Sequence, residues 1–284
     1  MPIDRDKALS YRFPAGEGGW NRDDAILYHL GLGAGVPQTD PGELQYTYEK
    51  NLKVLPSFTT VANPGNFEAL PKVPGLECNL ALVLHGEQEI ELHRPLPPEA
   101  EFESETRIIE IYDKGKAALL ILEVSTVDAE GDPLFTNRMS LFLRGEGGFG
   151  GPAGPKAQNA APDREPDGSL ESKTLPQQAL LYRLNGDKNP LHCDPDFAKL
   201  AGFEIPIIHG LCSYGIACKA VVDSALGGDV TQVARYSARF AGVGFPGETF
   251  VTRYWRENDT ILIECRAKER DAIIISNAAF QLRT

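Results

Sequence analysis

Apolar and polar residues alternate along two stretches of the chain in the way that half-buried β-strands require. Residues 106–144 fit three strands joined by turns at 113–115 and 130–133. Residues 248–283 repeat this three-strand meander. The pattern therefore predicts mainly antiparallel sheet, present in two similar copies.

One segment has a helical period instead. Small and apolar residues recur at helical spacing over residues 211–226, directly after His209-Gly210, and the Gly227-Gly228 pair can end a helix there. In the first copy, His85-Gly86 is followed almost at once by strand-like alternation, so that copy is predicted to lack the long helix. The common order of these features favours a duplication. We expect an α+β fold in which a helix packs on a curved sheet.

Residues 145–174 divide the two copies. This segment is rich in Gly and Pro and has almost no large apolar residues, which is typical of an extended linker without regular structure. The sequence predicts an N-terminal domain over residues 1–144 and a C-terminal domain over residues 175–284. Both have ordinary domain sizes.

Charge and cysteine content narrow the class of protein. The formal net charge is −12, which argues against binding to nucleic acid or to an anionic membrane surface. The five cysteines include no CxxC pair, which favours a reducing compartment. No apolar stretch is long enough to span a membrane, and neither a secretory signal nor an SKL-type C-terminus is present. These features predict a cytoplasmic protein and leave a peroxisomal location open.

The densest group of polar residues lies between the linker and the predicted helix. Gly186-Asp187 and Asn189-Pro190 are turn-forming pairs, so Asp187 and His192 are expected on an irregular loop. A carboxylate and an imidazole that share a water can act as an acid/base pair. The alternative is structural, because Asp and Asn also occupy such turns to bond the backbone. Metal binding is less favoured, because no second histidine lies at ligand spacing.

The start of the predicted helix is a second candidate. Free N–H groups at a helix N-terminus near Gly210 can polarise a carbonyl oxygen. Taken alone, His209 is better explained as a helix cap or as a buried core residue.

The motif Gly186-Asp-Lys-Asn-Pro-Leu-His192, followed by Pro206-Ile-Ile-His-Gly-Leu211, closely resembles the signature of the R-specific enoyl-CoA hydratases, or MaoC-like hydratases 2. The resemblance implies two tandem hot-dog folds that form a pseudo-dimer, the first of them helix-poor. It also implies that Asp187 and His192 are the catalytic pair, that Asn189 helps to hold the water, and that the Gly210 amide binds the thioester oxygen. The implied substrate contacts are His85, Gly86, Lys114, Lys188, Pro190, Leu191 and Phe240.

For four of these contacts a structural explanation stays open. Phe240 can be a core residue, Lys114 a solvated turn residue, and His85-Gly86 a relic of the duplication. The resemblance further implies an acyl-CoA substrate, no cofactor or metal, and a homodimer of double hot-dog chains. The missing first helix could open a tunnel for a long acyl tail, lined by Val36, Leu44, Leu76 and Leu80, although core packing explains these four residues equally well.

The implied reaction is the reversible syn hydration of a trans-2-enoyl-CoA to a (3R)-3-hydroxyacyl-CoA in fatty acid metabolism. The nearest rival is a (3R)-hydroxyacyl dehydratase that acts on carrier-protein thioesters, although the net charge of −12 disfavours docking of an acidic carrier. A thioesterase on the same fold is a second rival, and a non-catalytic acyl-CoA binder is a third. The complete Asp187, Asn189 and His192 set argues against the last of these.

Overall fold

The computed structural model describes residues 3–76, 78–79 and 83–284. Its strands join in a single sheet and are β1 (Gly16–Trp20), β2 (Val83–Leu92), β3 (Ala100–Asp113), β4 (Ala117–Asp128), β5 (Pro133–Arg144), β6 (Gly168–Lys173), β7 (Val233–Phe240), β8 (Thr249–Glu257), β9 (Thr260–Ala267) and β10 (Ala272–Leu282). Its α-helices are α1 (Arg5–Ser10), α2 (Arg22–Gly31), α3 (Pro41–Thr47), α4 (Thr59–Ala62), α5 (Gln178–Tyr182), α6 (Pro195–Leu200) and α7 (Gly210–Leu226). Both predicted three-strand meanders are present, as β3–β5 and β8–β10.

The strand order shows the duplication directly. The order is β1-β3-β4-β5-β2-β7-β10-β9-β8-β6, so each half contributes five strands in mirrored sequence. The halves meet where β2 pairs with β7 in antiparallel register, from Glu87 opposite Arg239 to Glu91 opposite Arg235. The predicted α+β pseudo-dimer is therefore confirmed, and residues from both halves lie side by side at this junction.

Helix α7 is the centre of the larger hydrophobic core. Nearly every residue from Cys212 to Leu226 is buried, and Gly227 ends the helix in the left-handed region, with φ 60°. Gly215 permits a close approach of α2, because a Cβ at this position would stand 2.6 Å from Leu32 and from the Tyr28 hydroxyl. The predicted helix and its glycine end are confirmed.

The first half contains four α-helices among its described residues and is not helix-poor, but none of them is as long as α7: α2 has 10 residues and α7 has 17, so the predicted lack of a long helix is confirmed. This half has a second core of its own. Ile3, Phe13, Leu70 and the inner side chains of β3–β5 form this separate cluster. The short helices of this half were not predicted, because their turns carry weak apolar periodicity.

The predicted tunnel lining does not form a common surface. Leu76 is 1% exposed inside the second cluster, whereas Val36 is 71% exposed and Leu44 is half-buried. Leu80 lies outside the described residues. The physical reason is that Leu76 packs in a core cluster with Ile3, Ala8 and Phe13 of the N-terminal segment.

The linker prediction is wrong at its C-terminal end. Residues 168–173 form β6, which pairs with β8 at one end of the sheet. An edge strand needs backbone hydrogen bonds on one side only, so a polar sequence suffices. Part of the remaining linker is anchored on Asp113, whose carboxylate accepts hydrogen bonds from the backbone N–H groups of Gly115, Gly148 and Gly150 at 2.8–2.9 Å.

The two His-Gly pairs are not structural equivalents. His209-Gly210 stands at the start of α7, whereas His85-Gly86 lies inside β2, where Gly86 forms a bulge. The two pairs are therefore similar in sequence but occupy different secondary-structure elements. Across the residues that the structure describes, no helix combines the length and apolarity that a membrane span requires.

Candidate active site

A short irregular segment after α5 positions the acidic residue of the motif. Gly186 has φ 122°, a conformation that favours glycine, and it turns the chain at the end of a 3₁₀ turn. One Asp187 carboxylate oxygen then accepts a hydrogen bond from the Asn189 N–H at 3.0 Å. This local bond orients Asp187 at the mouth of the site, where it is exposed.

The next turn places the histidine. The Asn189 side-chain oxygen accepts a hydrogen bond from the Leu191 N–H at 3.0 Å and caps the 3₁₀ turn Pro190–His192. That oxygen therefore has a structural partner, which leaves the amide NH₂ of Asn189 as its donor toward a ligand. The turn directs His192 inward, where 8% of its surface is exposed.

Three side chains converge at this point. One polar atom each from Asp187, His192 and His209 lie within 4.8 Å of one another. A water that accepts or donates at about 2.8 Å can bridge atoms up to about 5.6 Å apart. The spacing thus accommodates one water between the carboxylate and the imidazole.

The hydrogen bonds of His192 fix its tautomer. His192 Nδ1 lies 2.9 Å from the Ile207 carbonyl oxygen, which can only accept, so Nδ1 carries the proton. Nε2 then has a free lone pair. Burial lowers the pKa of His192 below its ordinary value, although the charge of Asp187 opposes this. A neutral imidazole with a free Nε2 can act as a general base.

Gly210 provides a backbone donor beside this group. As the first residue of α7 it has an N–H without an intrahelical acceptor, and no described residue accepts a hydrogen bond from it. A Cβ at Gly210 would stand 3.3 Å from the Phe240 ring, so glycine keeps the amide approachable.

The first half contributes His85 and Gly86 of β2, which lie next to Phe240 of β7 where the two strands pair. The His85 and Phe240 rings meet edge to face with centroids 5.0 Å apart. His85 Nε2 donates to the Glu87 carbonyl oxygen at 3.1 Å, and burial lowers the pKa of His85 to about 4, partly offset by the charge of Asp187. The bulge at Gly86 brings its backbone against Phe142, where a Cβ would stand 2.7 Å from the ring.

The other predicted substrate contacts lie farther out. Lys188 and Pro190 are exposed on the loop, Leu191 is half-buried, and no described residue forms an ion pair with Lys188. Lys114 lies at the turn between β3 and β4, which are three and two strands away from β2 in the sheet, and it donates there to the Ala153 carbonyl. Among the described residues, the side-chain contacts of Lys114 are with Ala153 and Tyr112 and not with Asp187, His192 or His209, and its substrate contact stays a prediction.

His209 is the member of the cluster that sequence reasoning missed. The His192 and His209 rings stack with centroids 3.7 Å apart and planes 27° from parallel. Two histidine ligands of a metal ion must direct their lone pairs to one point about 2.0–2.1 Å away. Stacked rings direct their lone pairs side by side, so this arrangement favours a proton-handling site over a metal site.

Known proteins share this architecture. Residues 19–145 match the family described as MFE-2 hydratase 2 N-terminal domain, and residues 157–278 match the MaoC like domain. Enoyl-CoA hydratase ChsH3 of Mycobacterium tuberculosis is 46% identical over 97% of this chain and 98% of its own length. Enoyl-CoA hydratase 2, peroxisomal, of Arabidopsis thaliana is 40% identical over 95% of this chain and 93% of its own length.

Solved structures agree with this similarity. A MaoC-like dehydratase from Phytophthora capsici is 35% identical, with a TM-score of 0.86 over 98% of both chains. A double hot-dog protein of M. tuberculosis, 12% identical with a TM-score of 0.56 over 96% of both chains, supports the fold alone. The paired domains, the Asp187–His192 geometry and these relatives lead to one conclusion: the chain belongs to the double hot-dog family of MaoC-like hydratases 2.

Proposed function

We propose that the protein catalyses the reversible addition of water to trans-2-enoyl-CoA thioesters of fatty acid metabolism, giving (3R)-3-hydroxyacyl-CoA. One observation carries the proposal: the Asp187 carboxylate and a His192 ring nitrogen come within 4.8 Å of each other close to the start of α7. Two relatives that match almost the whole chain are named enoyl-CoA hydratases, which supports the same substrate class.

The first step activates water. A water between Asp187 and His192 donates one hydrogen bond to the free Nε2 of His192 and the other to the carboxylate. As its oxygen bonds to the β-carbon of the substrate, His192 Nε2 accepts a proton. Because the ring is neutral beforehand, this transfer creates an imidazolium ion that the Asp187 carboxylate stabilises.

The second step neutralises the enolate. Addition of oxygen to the β-carbon moves an electron pair to the thioester oxygen, where the Gly210 N–H and the positive end of α7 stabilise the charge. The acid/base pair then returns the proton to the α-carbon. The substrate gains one water, and both side chains regain their starting protonation states.

The stereochemistry follows from the one-sided arrangement. Asp187 and His192 belong to one loop, so the hydroxyl group and the α-proton reach the same face of the double bond. Syn addition results, and the (3R) product is the one that the hydratase 2 signature implies. Asn189 contributes its free NH₂ to the bound water.

The outer contacts are proposed to hold the rest of the substrate. Coenzyme A is a polyanion, and a chain of net charge −12 needs a local cation to attract it. Lys188 has no ion-pair partner in the described part of the chain and stands next to Asp187. We assign Lys188, Pro190 and Leu191 to the thioester arm, and His85, Gly86 and Phe240 to the wall beside the acyl group.

We propose the same division of labour for the domains. Residues 168–284, which include β6, form the catalytic domain, residues 1–144 accommodate the acyl tail, and residues 145–167 connect the two. The protein is further proposed to form a homodimer, which doubles the 31.0 kDa chain mass in light scattering. A cytoplasmic location stays a prediction, since one relative is named peroxisomal.

The reverse reaction is a second candidate physiological role. A 3-hydroxyacyl-thioester dehydratase Y of M. tuberculosis is 42% identical over 84% of this chain and 82% of its own length. The same site would catalyse both directions. A comparison of 3-hydroxyacyl-CoA with the matching carrier-protein thioester distinguishes the two substrate classes, and we expect CoA to be preferred.

The decisive assay is hydration of trans-2-enoyl-CoA followed by chiral analysis. We expect loss of the enoyl absorbance, no release of free thiol, and a (3R) product. Release of thiol would identify a thioesterase instead. A (3S) product would refute the proposed arrangement of water and thioester.

A further inference from the structure

His209 is buried at the N-cap position of α7, but its side chain does not cap the helix. It immediately precedes α7, yet its side chain makes no capping hydrogen bond to the helix. Only 1% of its surface is exposed, and its Nδ1 has no hydrogen-bond partner in the described part of the chain. A buried polar atom without a partner is rare and calls for an explanation.

The side chain of His209 touches both members of the proposed acid/base pair. Its Nε2 lies 3.3 Å from the Asp187 carbonyl oxygen, and because a carbonyl only accepts, Nε2 is the donor. Its ring face stacks on His192 at 3.7 Å. On another side, the Tyr182 ring lies 4.9 Å away at 50° and confines the imidazole.

The backbone of His209 adds a third connection. The next residue is Gly210, whose amide is the proposed thioester donor, and consecutive Cα atoms are about 3.8 Å apart. A shift of the His209 ring would therefore change the distance from the acid/base pair to the amide. Among the described residues, no other side chain both bonds to Asp187 and stacks on His192.

We propose that His209 is a positioning residue that holds Asp187 and His192 in register with the Gly210 amide. The proposal rests on the proposed hydration function and deepens it. His209 itself neither donates to nor accepts from the substrate; it acts through the stack, the hydrogen bond and its place in the chain.

The electrostatic surroundings of His209 favour its neutral form, which suits a positioning role. The pKa of His209 is lowered to about 4, mainly by burial and next by repulsion from His192. The positive charge of Arg183 lowers this pKa further, whereas the negative charge of Asp187 raises it. At neutral pH the ring is uncharged, so it can stack on His192 without repelling a developing imidazolium as a second cation would.

Three variants separate the two contacts. His209→Phe keeps an aromatic ring and loses the donor, His209→Gln keeps a donor with similar reach and loses the ring, and His209→Ala loses both. Misplacement of reacting groups by about 1 Å lowers rates by about 100-fold. We expect kcat to fall about 10- to 100-fold in His209→Ala and less in the other two, with the KM for the enoyl-CoA changed less than about twofold.

His29 offers a matched control. It is also fully buried and bonded to backbone, since its Nδ1 donates to the Tyr46 carbonyl at 2.8 Å and its Nε2 accepts from the Leu55 N–H at 3.2 Å. Its only ring contacts among the described residues are with Tyr28 and Tyr46. We expect His29→Ala to lower the melting temperature as His209→Ala does, while kcat of the folded enzyme stays at the wild-type value.

Two further readouts exclude a merely structural role. With the ring removed, water reaches His192, so the acid limb of the pH profile of kcat/KM should move up toward the ordinary histidine pKa of 6.5. The His192 ring-proton NMR signal, assigned by its loss in His192→Gln, should also lose its stacking shift in His209→Ala and keep it in His209→Phe.

The outcomes are distinct. If the wild-type protein does not hydrate enoyl-CoA, the proposed function fails, and the NMR shift alone then decides whether His209 holds His192. If wild type hydrates and His209→Ala keeps wild-type kcat, pH profile and His192 signal, the positioning role is refuted. Equal losses of kcat in His29→Ala and His209→Ala would likewise overturn it.

Discussion

We have proposed that the Gly210 N–H stabilises the negative charge on the thioester oxygen, and the variant Gly210→Ala tests this role. In Gly210→Ala the new methyl group would stand 3.3, 3.4 and 3.6 Å from three Phe240 ring atoms. Only the 3.3 Å contact is tighter than ordinary packing, and Phe240 is half-buried, so a small ring movement relieves it. Alanine also favours a helix over glycine by up to about 1 kcal/mol, so stability should change by less than that amount.

Activity should respond very differently. We expect the methyl group to obstruct the approach of a thioester oxygen to the amide. Loss of one oxyanion donor lowers kcat by about 10²–10³-fold, or about 2.7–4 kcal/mol of transition-state stabilisation. We expect this loss in steady-state hydration of trans-2-enoyl-CoA, with the melting temperature within a few degrees of wild type.

Two control variants isolate the cause. Gly215→Ala places a methyl group 2.6 Å from Leu32 in the core, so it should lower the melting temperature strongly. In Gly210→Ala/Phe240→Leu the ring contact is removed, and kcat should stay far below that of Phe240→Leu alone if the methyl group blocks the thioester itself. Wild-type kcat in Gly210→Ala would refute the assignment of this amide.

The remaining predictions concern the acid/base pair, the charge at the mouth and the linker anchor. Asp187→Asn should lower kcat by about 10²–10⁴-fold while calorimetry shows unchanged binding of the hydroxyacyl-CoA product. The kcat/KM profile should fall on the acid side with an apparent pKa below 6.5, because burial lowers the pKa of His192 and its neutral form is the base. Lys188→Glu should raise the KM for enoyl-CoA at low salt, and this effect should shrink at high salt. Asp113→Asn should lower the melting temperature. Hydrogen bonds from backbone N–H groups, of which that of Gly148 has the largest effect, lower the pKa of Asp113 in the folded protein. The stability advantage of wild type over the variant should therefore be complete above pH 3.8, the ordinary pKa of an aspartate, and disappear as the pH falls below 3.8.

Much of the fold could be predicted from the local pattern of apolar and polar residues. Strand β9 and most of β4 alternate because one face of each strand is buried, and Gly227 ends α7 because it can adopt a positive φ. The loop with Asp187 and His192 was also predictable, since Gly186 and the Asn189-Pro190 pair specify tight turns. These features depend on interactions between residues that are close in sequence.

What could not be predicted depends on contacts between distant residues. Strand β6 has a polar sequence, and only its hydrogen bonds to β8 make it a strand. His209 lies 22 residues from Asp187, and the ring stack that joins it to His192 leaves no periodic signal. Leu76 packs with the N-terminal segment rather than along a tunnel, because nothing in local spacing shows which apolar residues fill a space left by a missing helix.

A crystal structure with bound (3R)-3-hydroxyacyl-CoA tests the proposed hydration mechanism most directly. We predict the product hydroxyl within about 2.6–3.2 Å of both the Asp187 carboxylate and His192 Nε2. We also predict the thioester oxygen within about 2.7–3.1 Å of the Gly210 nitrogen. A product whose hydroxyl contacts neither side chain, or whose thioester oxygen faces away from the start of α7, would contradict the mechanism.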